Sequence, residues 1–259
     1  MHKLAYHNIQ NAVSWQGFEL SEGGTFDKFM IDEVAPRLHD DEGKAELELH
    51  LNSLASTGFS QDSLKAILEA EHPEERAWAV GEALAEAWLS REHGVIWPWN
   101  MERDKRTPHA SLPGADLVGF VTQGNETCLV LGEVKCSSDS NTPPNVMTGR
   151  HGMTRQLETL VTDIGLLYTL IRRLQPRCRG NDSEPHFNAA ISLLLQSGNK
   201  AMTLFGVLVR DTQPDVLDLY SRGQHLSGIV KAPAGCHLLA LHLPCSIASL
   251  PACVQGDAS

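Results

Sequence analysis

The chain has 259 residues, which suits one large domain or two small ones, and its hydrophobic fraction of 42% is ordinary for a folded protein. This composition excludes a globally disordered chain, and the lack of an uninterrupted apolar run of about 18 residues excludes a membrane-spanning helix. The net charge of −11 disfavours a protein that binds nucleic acid unaided, because phosphate contacts supply most non-specific affinity.

Residues 1–71 are acidic, and their apolar residues recur at helical spacing. Phe26, Phe29 and Val34 fit an amphipathic helix that Pro36 should kink or end. Further helices are predicted from about 43 to 54 and from 63 to 71. We therefore predict an N-terminal helical subdomain over 1–71 and a second domain over 72–259. The acidity of residues 1–71 suits docking onto a protein partner or covering a functional site. A helical face that is simply exposed to solvent is an equally good interpretation.

Residues 72–93 show the clearest helical pattern in the chain. Pro73 lies near the first turn, and Gly94 follows as a stop signal. One stripe along this helix comprises Trp78, Glu82, Ala85 and Leu89. Glu82 is therefore either a functional residue or a solvent-exposed glutamate on a helix whose apolar and polar faces are poorly separated. Glu86, one turn further, is the alternative functional position.

A loop over residues 101–110 is rich in basic side chains. Arg103, Lys105 and Arg106 lie in it, and the loop leads directly into the next apolar segment. Such a loop beside a functional site would suit contact with a phosphate backbone. A merely solvated loop is an equally good interpretation.

The stretch from Gly114 to Lys135 has the pattern of a β-hairpin with charges in its predicted core. Asp116 lies in a short apolar run, and a second apolar run ends in Glu133-Val134-Lys135. Side chains alternate along a strand, so Glu133 and Lys135 project from the same face. A turn at residues 124–125 would bring Asp116 within side-chain reach of Glu133.

Two carboxylates that face each other repel unless a positive charge lies between them. A divalent metal with oxygen ligands is the natural candidate for the pair Asp116 and Glu133. Lys135 would then orient or help to deprotonate a water, or offset charge on a phosphate. The alternative is a surface ion pair between Glu133 and Lys135 at a strand end.

Residues 152–175 predict one long helix with a continuous buried stripe that comprises Leu157, Leu160, Val161, Ile164, Tyr168 and Ile171. Arg150 and Arg155 lie near its N-terminus, where an anion such as a phosphate is favoured. Residues 187–197 are compatible with a helix or a strand. We predict a buried strand over 202–210, a shorter strand over 216–220 and another over 236–243.

The six cysteines are scattered without a Cys-x-x-Cys pair, which is typical of reduced thiols in a chain of this length. The segment from Cys236 to Cys253 holds cysteines and histidines at irregular spacing, which disfavours a zinc site. The N-terminus lacks the apolar core of a signal peptide, so we expect a cytoplasmic protein.

The pattern of Asp116, a spacer and Glu133-x-Lys135 resembles the active-site signature of the PD-(D/E)xK nuclease superfamily, with Gly114-Ala115 standing before the aspartate in place of the family's proline. The predicted order of elements over residues 72–210 is also similar to the α-β-β-β-α-β core of that superfamily. The resemblance implies an α/β, restriction-endonuclease-like core, in which a mixed central sheet is flanked by helices. The N-terminal helical subdomain would precede this core.

The same resemblance implies roles for individual residues. A Mg²⁺ ion, with Mn²⁺ as a substitute, would be held by Asp116, Glu133, the backbone carbonyl of Val134 and Glu82 from the opening helix. Lys135 would position the attacking water or stabilise the transition state, and Gln156 would orient the water or a phosphate. The implied reaction is hydrolysis of DNA phosphodiester bonds, with phosphate contacts from Arg103, Lys105, Arg106, Arg150 and Arg155.

Three short segments, Gly81-Glu82, Gly114-x-Asp116 and Gly132-Glu133-Val134-Lys135, follow an acidic N-terminal region. This arrangement is similar to the small nuclease subunit of Hachiman-type antiphage defence systems. In that family a large helicase subunit restrains the nuclease on intact DNA, so the resemblance implies DNA and a helicase or other ATPase as partners. The alternatives are a repair or restriction nuclease of the same fold and a catalytically inactive docking module.

Overall fold

A computed structural model describes residues 1–69, 76–100 and 114–255. Its centre is one six-stranded sheet with the strand order β1-β2-β6-β5-β4-β3. The strands are β1 (His2–Gln10), β2 (Val13–Leu20), β3 (Leu117–Gln123), β4 (Glu126–Ser137), β5 (Met202–Arg210) and β6 (Gly235–His242). The four inner strands are parallel, and β1 and β3 pair antiparallel at the two edges. The sheet is therefore mixed, as predicted.

Helices cover both faces of this sheet. They are α1 (Gly24–Phe29), α2 (Asp41–Leu54), α3 (Gly58–Glu69), α4 (Ala77–His93), α5 (Met153–Thr162), α6 (Ile164–Cys178), α7 (Glu184–Gln196), α8 (Tyr220–Ile229) and α9 (Leu250–Gln255). Short π-helical and 3-10 turns continue α1 as far as Arg37. Within the described ranges, none of these helices combines the length and the apolarity needed to cross a membrane. The α/β class with flanking helices is confirmed.

The alternation of side chains along the strands creates two hydrophobic layers. On β5, Leu204 and Leu208 face the layer that contains α5 to α8, whereas Phe205 and Val207 face the layer that contains α1, α4 and α9. The same period of two operates on β4, where Leu129 and Leu131 belong to the α5 layer. Residues 133 and 135 continue that side of the strand.

The expectation that residues 1–71 are helical is wrong for the first 20 residues. They form the hairpin of β1 and β2, and β2 joins the central sheet by pairing with β6. The side chains of β1 are mostly exposed, so its sequence lacks the alternation that identifies a half-buried strand. The helices expected near 43–54 and 63–71 are present as α2 and α3. The predicted boundary at residue 71 lies outside the described residues.

The single helix predicted for residues 152–175 is two helices. Asp163 leaves the helical conformation, and its carboxylate accepts a hydrogen bond from the N–H of Leu166 at 3.0 Å, which caps α6. The break changes the phase of the buried stripe. Ile164 and Tyr168 are consequently exposed, and Leu167 is among the residues buried instead.

Four other predicted segments can be compared with the structure. The strand expected over 216–220 is wrong, because the Asp215 carboxylate accepts a hydrogen bond from the N–H of Leu217 and starts a 3-10 turn that leads into α8. Residues 187–197, for which either a helix or a strand was possible, lie almost entirely in α7. The strands predicted over 202–210 and 236–243 are confirmed as β5 and β6.

Candidate active site

A cavity of about 460 Å³ opens beside the start of β3 and the second half of β4. It is bounded by α4, the segment before β3, β4 and α5. All the residues predicted for catalysis or metal binding line it, namely Glu82, Asp116, Glu133, Val134, Lys135 and Gln156. The fold therefore brings together residues that lie up to 74 positions apart in the sequence.

The register of the hairpin fixes the position of the Asp116 carboxylate. Leu117 pairs with Gly132, so Asp116 stands opposite Glu133 on the same face of the sheet. The Asp116 N–H donates to the carbonyl oxygen of Gly132 at 3.0 Å, and its Oδ2 accepts a hydrogen bond from the N–H of Val134 at 2.9 Å. Backbone contacts thus hold this aspartate against the strand that carries the glutamate and the lysine.

Glu133 is a buried carboxyl with only 2% of its surface exposed. Burial and the nearby charge of Asp116 raise the pKa of Glu133 to about 8. The Lys135 ammonium donates a hydrogen bond to Glu133 Oε1 at 2.5 Å and opposes this rise. Two adjacent carboxylates share one ammonium here, which favours the protonated form of Glu133 more than in an exposed glutamate.

A glycine immediately precedes each of the two site glutamates. A Cβ atom on Gly81 would lie 2.2 Å from Cys136 Sγ, and one on Gly132 would lie 2.4 Å from the carbonyl oxygen of Phe205. Neither position has room for a side chain. The absence of a Cβ at Gly81 lets α4 pack directly against β4 and brings Glu82 to the cavity.

The two glutamates that the sequence offered on α4 lie in different environments. Glu82 lines the cavity that contains Asp116 and Glu133, whereas Glu86 lines a separate cavity of about 590 Å³. Glu86 Oε2 lies 3.6 Å from Nη1 of Arg37 in that second cavity. Glu82 is therefore the helix carboxylate that accompanies the carboxylate pair.

Gln156 contributes from the first turn of α5. Its Oε1 is buried and has no hydrogen-bond partner among the described residues. Buried polar atoms in proteins are normally hydrogen-bonded, so an unpaired amide oxygen at a cavity wall is a place for a water or a substrate donor. This position agrees with the predicted orienting role, which stays a prediction.

The two predicted DNA-binding residues that the structure describes do not line the cavity. Arg150 and Arg155 are exposed near the N-terminus of α5, and Arg155 Nη1 is 2.9 Å from Glu158 Oε2. The other three, Arg103, Lys105 and Arg106, lie outside the described residues. Phosphate contact by all five stays a prediction.

The donors in the cavity are hard oxygen atoms, which suit Mg²⁺ or Mn²⁺. Burial and the charge of Asp116 raise the pKa of Glu133, and a cation bound between the two carboxylates would lower it. Within the described part of the chain, however, no three His, Cys, Asp or Glu side chains are already close enough to one another to hold a metal. The donor set therefore fits a hard cation at Asp116 and Glu133, with Glu82 as a further ligand that would have to move closer.

The cavity wall also includes Trp78 and Cys136, for which the sequence predicted no catalytic role. Trp78 lies one helical turn before Glu82, and this i, i+4 spacing was the available sequence signal. Cys136 follows Lys135, and burial raises the pKa of its thiol to about 12, so it is not a thiolate at neutral pH.

Comparisons with protein-family models, curated proteins and solved structures find no match for this chain.

Proposed function

We propose that the chain is a metal-dependent endonuclease that hydrolyses DNA phosphodiester bonds. The observation that carries this proposal is the cavity in which Asp116, Glu133 and Lys135 meet, with Glu82 and Gln156 on its walls. Two carboxylates that lack a neutralising charge suit a divalent cation, and an adjacent ammonium suits an anionic reaction centre. Metal-dependent phosphodiester hydrolysis can use both.

Each residue would have a distinct task. Asp116, Glu133, the Val134 carbonyl and Glu82 would hold Mg²⁺, which when bound lowers the pKa of a coordinated water and polarises a phosphate oxygen. Lys135 Nζ would donate a hydrogen bond to the attacking water or to a non-bridging phosphate oxygen. The unpaired Oε1 of Gln156 would accept a hydrogen bond from that water and orient it.

The charge of the chain supports control by a partner. Lys135 is the one cationic side chain among the described residues that line the cavity, and the whole chain carries a net charge of −11. Tight contact with a polyanion needs several phosphate contacts from cationic groups. From the resemblance to the nuclease subunit of Hachiman-type systems, we propose further that the chain is the effector subunit of an antiphage defence complex in which a helicase or other ATPase presents the DNA, and the acidic charge fits such a dependence on a partner.

Plasmid cleavage in Mg²⁺ or Mn²⁺ tests this function, with the chain alone and with the product of any adjacent helicase gene. Glu133→Ala and Lys135→Ala should each reduce the rate by about 100-fold or more, which is typical of losing a group that stabilises the transition state. Glu82→Gln should reduce the rate by about tenfold. Glu86→Gln is the matched control on the same helix and should change the rate by less than about twofold.

Two results would contradict the proposal. Equal cleavage by the wild type, Glu133→Ala and Lys135→Ala would exclude this cavity as the active site. A wild type that neither cleaves DNA nor binds Mn²⁺ in isothermal titration calorimetry would instead indicate a docking module.

A further inference from the structure

The hairpin of α2 and α3 leaves most of its apolar side chains in solvent. Leu47, Leu54, Phe59 and Ile67 are 55%, 63%, 84% and 65% exposed. No described side chain of α2 is buried, and Leu64 is the one buried residue among those described in α3. This exposure contrasts with α4, in which eight residues are buried.

Helices of this length are not expected to be stable in water without packing. α2 has 14 residues and α3 has 12, and isolated helices shorter than about 12–15 residues are marginal. Leu47, Leu51 and Leu54 follow the i, i+4, i+7 spacing of a face that normally packs against a core. Both helices therefore carry apolar side chains that the described part of this chain does not cover.

The charges around this face indicate what would cover it. Residues 40–69 contain seven acidic and two basic residues. Glu46 and Glu48 are exposed and flank Leu47 on the two sides of the stripe, because neighbouring helix positions are about 100° apart. An acidic rim around an apolar stripe complements an apolar surface with a basic rim.

The same charges disfavour two other occupants. A second copy of this chain would bring two acidic rims together, and each chain carries a net charge of −11. An anionic membrane surface would repel the hairpin for the same reason. A cationic partner is the occupant that the charge pattern favours.

We propose that α2 and α3 form a docking surface for a partner protein that presents an amphipathic basic helix. The partner helix would carry leucine-like side chains at positions i, i+3 or i+4, and i+7. These would pack on Leu47, Leu51, Leu54, Phe59 and Ile67. The Lys and Arg side chains of the partner would face Glu46 and Glu48. The inference shares with the proposed function only the expectation of a protein partner. It requires neither DNA nor a metal.

Fluorescence anisotropy with synthetic peptides tests the docking surface on the full chain in metal-free buffer. The probe is a fluorescein-labelled leucine/lysine peptide about five helical turns long, or ~18 residues, with leucines on one face. One matched peptide has glutamate in place of lysine, and another has serine in place of leucine. The leucine/lysine peptide should bind at least about tenfold more tightly than either, because only it complements both the stripe and the rim.

Substitutions locate the binding site. Leu54→Ser and Phe59→Ser should each weaken binding of the leucine/lysine peptide by about tenfold, as expected when an apolar anchor is lost from an interface. Leu195→Ser is the matched control, since Leu195 on α7 is 64% exposed but distant in sequence, and it should leave binding unchanged. The double change Glu46→Lys and Glu48→Lys should reverse the preference in favour of the leucine/glutamate peptide.

Four outcomes would overturn the inference. In the first, the leucine/lysine peptide does not bind, and in the second, the lysine/serine peptide binds as tightly as the leucine/lysine peptide. In the third, Leu195→Ser weakens binding as much as Leu54→Ser and Phe59→Ser do. In the fourth, light scattering detects a dimer that Phe59→Ser dissociates. The last would identify a second copy as the occupant. All the substituted side chains are exposed, and thermal unfolding verifies that each variant folds. DNA cleavage has no part in the assay, so a failure of the nuclease proposal would leave this result standing.

Discussion

Two charged clusters lie at the ends of neighbouring strands, and only one of them is open. At the end of β5, Arg210 and Asp218 are 1% and 0% exposed, and Arg210 Nε is 3.3 Å from Asp218 Oδ2, an ion-pair distance without the alignment of a hydrogen bond. The same guanidinium donates hydrogen bonds to the carbonyl oxygens of Ser137, Asp139 and Asn141. This cluster holds the loop that follows β4.

On β4 the arrangement is different. Glu133 is as buried as Arg210, but it faces the second carboxylate of Asp116. The neighbouring Lys135 lines the cavity and is 24% exposed. Two carboxylates share one ammonium there, whereas the Arg210 cluster pairs one guanidinium with one carboxylate. Burial of a charge does not by itself distinguish structure from function. Excess charge beside a cavity is the more informative sign.

The largest expected effect is a difference in unfolding free energy between a variant of the Arg210 cluster and a variant of the Glu133 cluster. Arg210→Met leaves Asp218 as a buried carboxyl without its cation and should lower the free energy of unfolding by about 3–5 kcal/mol. Urea unfolding at pH 8 measures this, because burial raises the pKa of Asp218 to about 6 in the wild type, so the ion pair with Arg210 is intact at that pH, whereas loss of the guanidinium raises the pKa further. Glu133→Gln, which relieves carboxylate repulsion, should cost less than about 1 kcal/mol. Equal losses for the two variants would remove the distinction.

The next largest effect is the pH dependence of stability that Glu133 produces. The pKa of Glu133 is raised from 4.5 to about 8, so the folded state binds the proton more tightly than the unfolded state. Stability from this group is fully present below about pH 4.5 and is lost as pH rises through 8, with a slope approaching ~1.4 kcal/mol per pH unit. The difference in unfolding free energy between wild type and Glu133→Gln, measured from pH 5 to 9 without metal, should show this slope.

Saturating Mg²⁺ provides the control for that pH dependence. Metal binding requires the deprotonated carboxylate, so the ion should flatten the difference between wild type and Glu133→Gln at high pH. Parallel stability curves in the absence of metal would show that Glu133 does not titrate with the raised pKa.

The smallest effect concerns the close approach of α4 to β4. Gly81→Ala places a methyl group against Cys136 Sγ and should cost about 1–2 kcal/mol, while it shifts Glu82 and lowers the affinity for Mn²⁺. Cys136→Ala removes the sulfur, so the double variant should recover most of the stability and the affinity. A double-mutant cycle by urea unfolding and calorimetry measures the coupling. Additive effects would show that the two residues do not limit the packing of α4.

The placement of the candidate site was predictable because its signals are local. Charges that end an apolar run, the period of two along a strand and a short turn are sufficient to place Asp116 opposite Glu133. The position of Glu82 required the resemblance to a nuclease family, since a glutamate on a ragged stripe is ambiguous. The structure resolves that ambiguity through the separate environments of Glu82 and Glu86. The metal, the DNA substrate and the catalytic roles stay predictions.

The features that were not predicted depend on distant contacts or on single caps. Arg210 ends an apolar run, as Glu133 and Lys135 do, but its partner Asp218 could not be identified without the fold. The exposed strand β1 gives no alternating signal. One capping carboxylate, that of Asp163, breaks a helix whose apolar spacing continues through the break. Local patterns therefore miss exposed strands, helix breaks set by a single cap, and partners that are distant in the sequence.

The position of β2 in the sheet has a consequence for the order of folding. The Ser14 hydroxyl and the His237 imidazole, 223 positions apart, are hydrogen-bonded at 2.8 Å, and β2 has no other parallel neighbour than β6. During synthesis β2 is made well before β6, so its pairing with β6 needs the closure of a long loop, which is slow. The hairpin of β3 and β4 can pair with β5 earlier. A chain interrupted before residue 235 would expose the unpaired edge of β2, which is a template for aggregation.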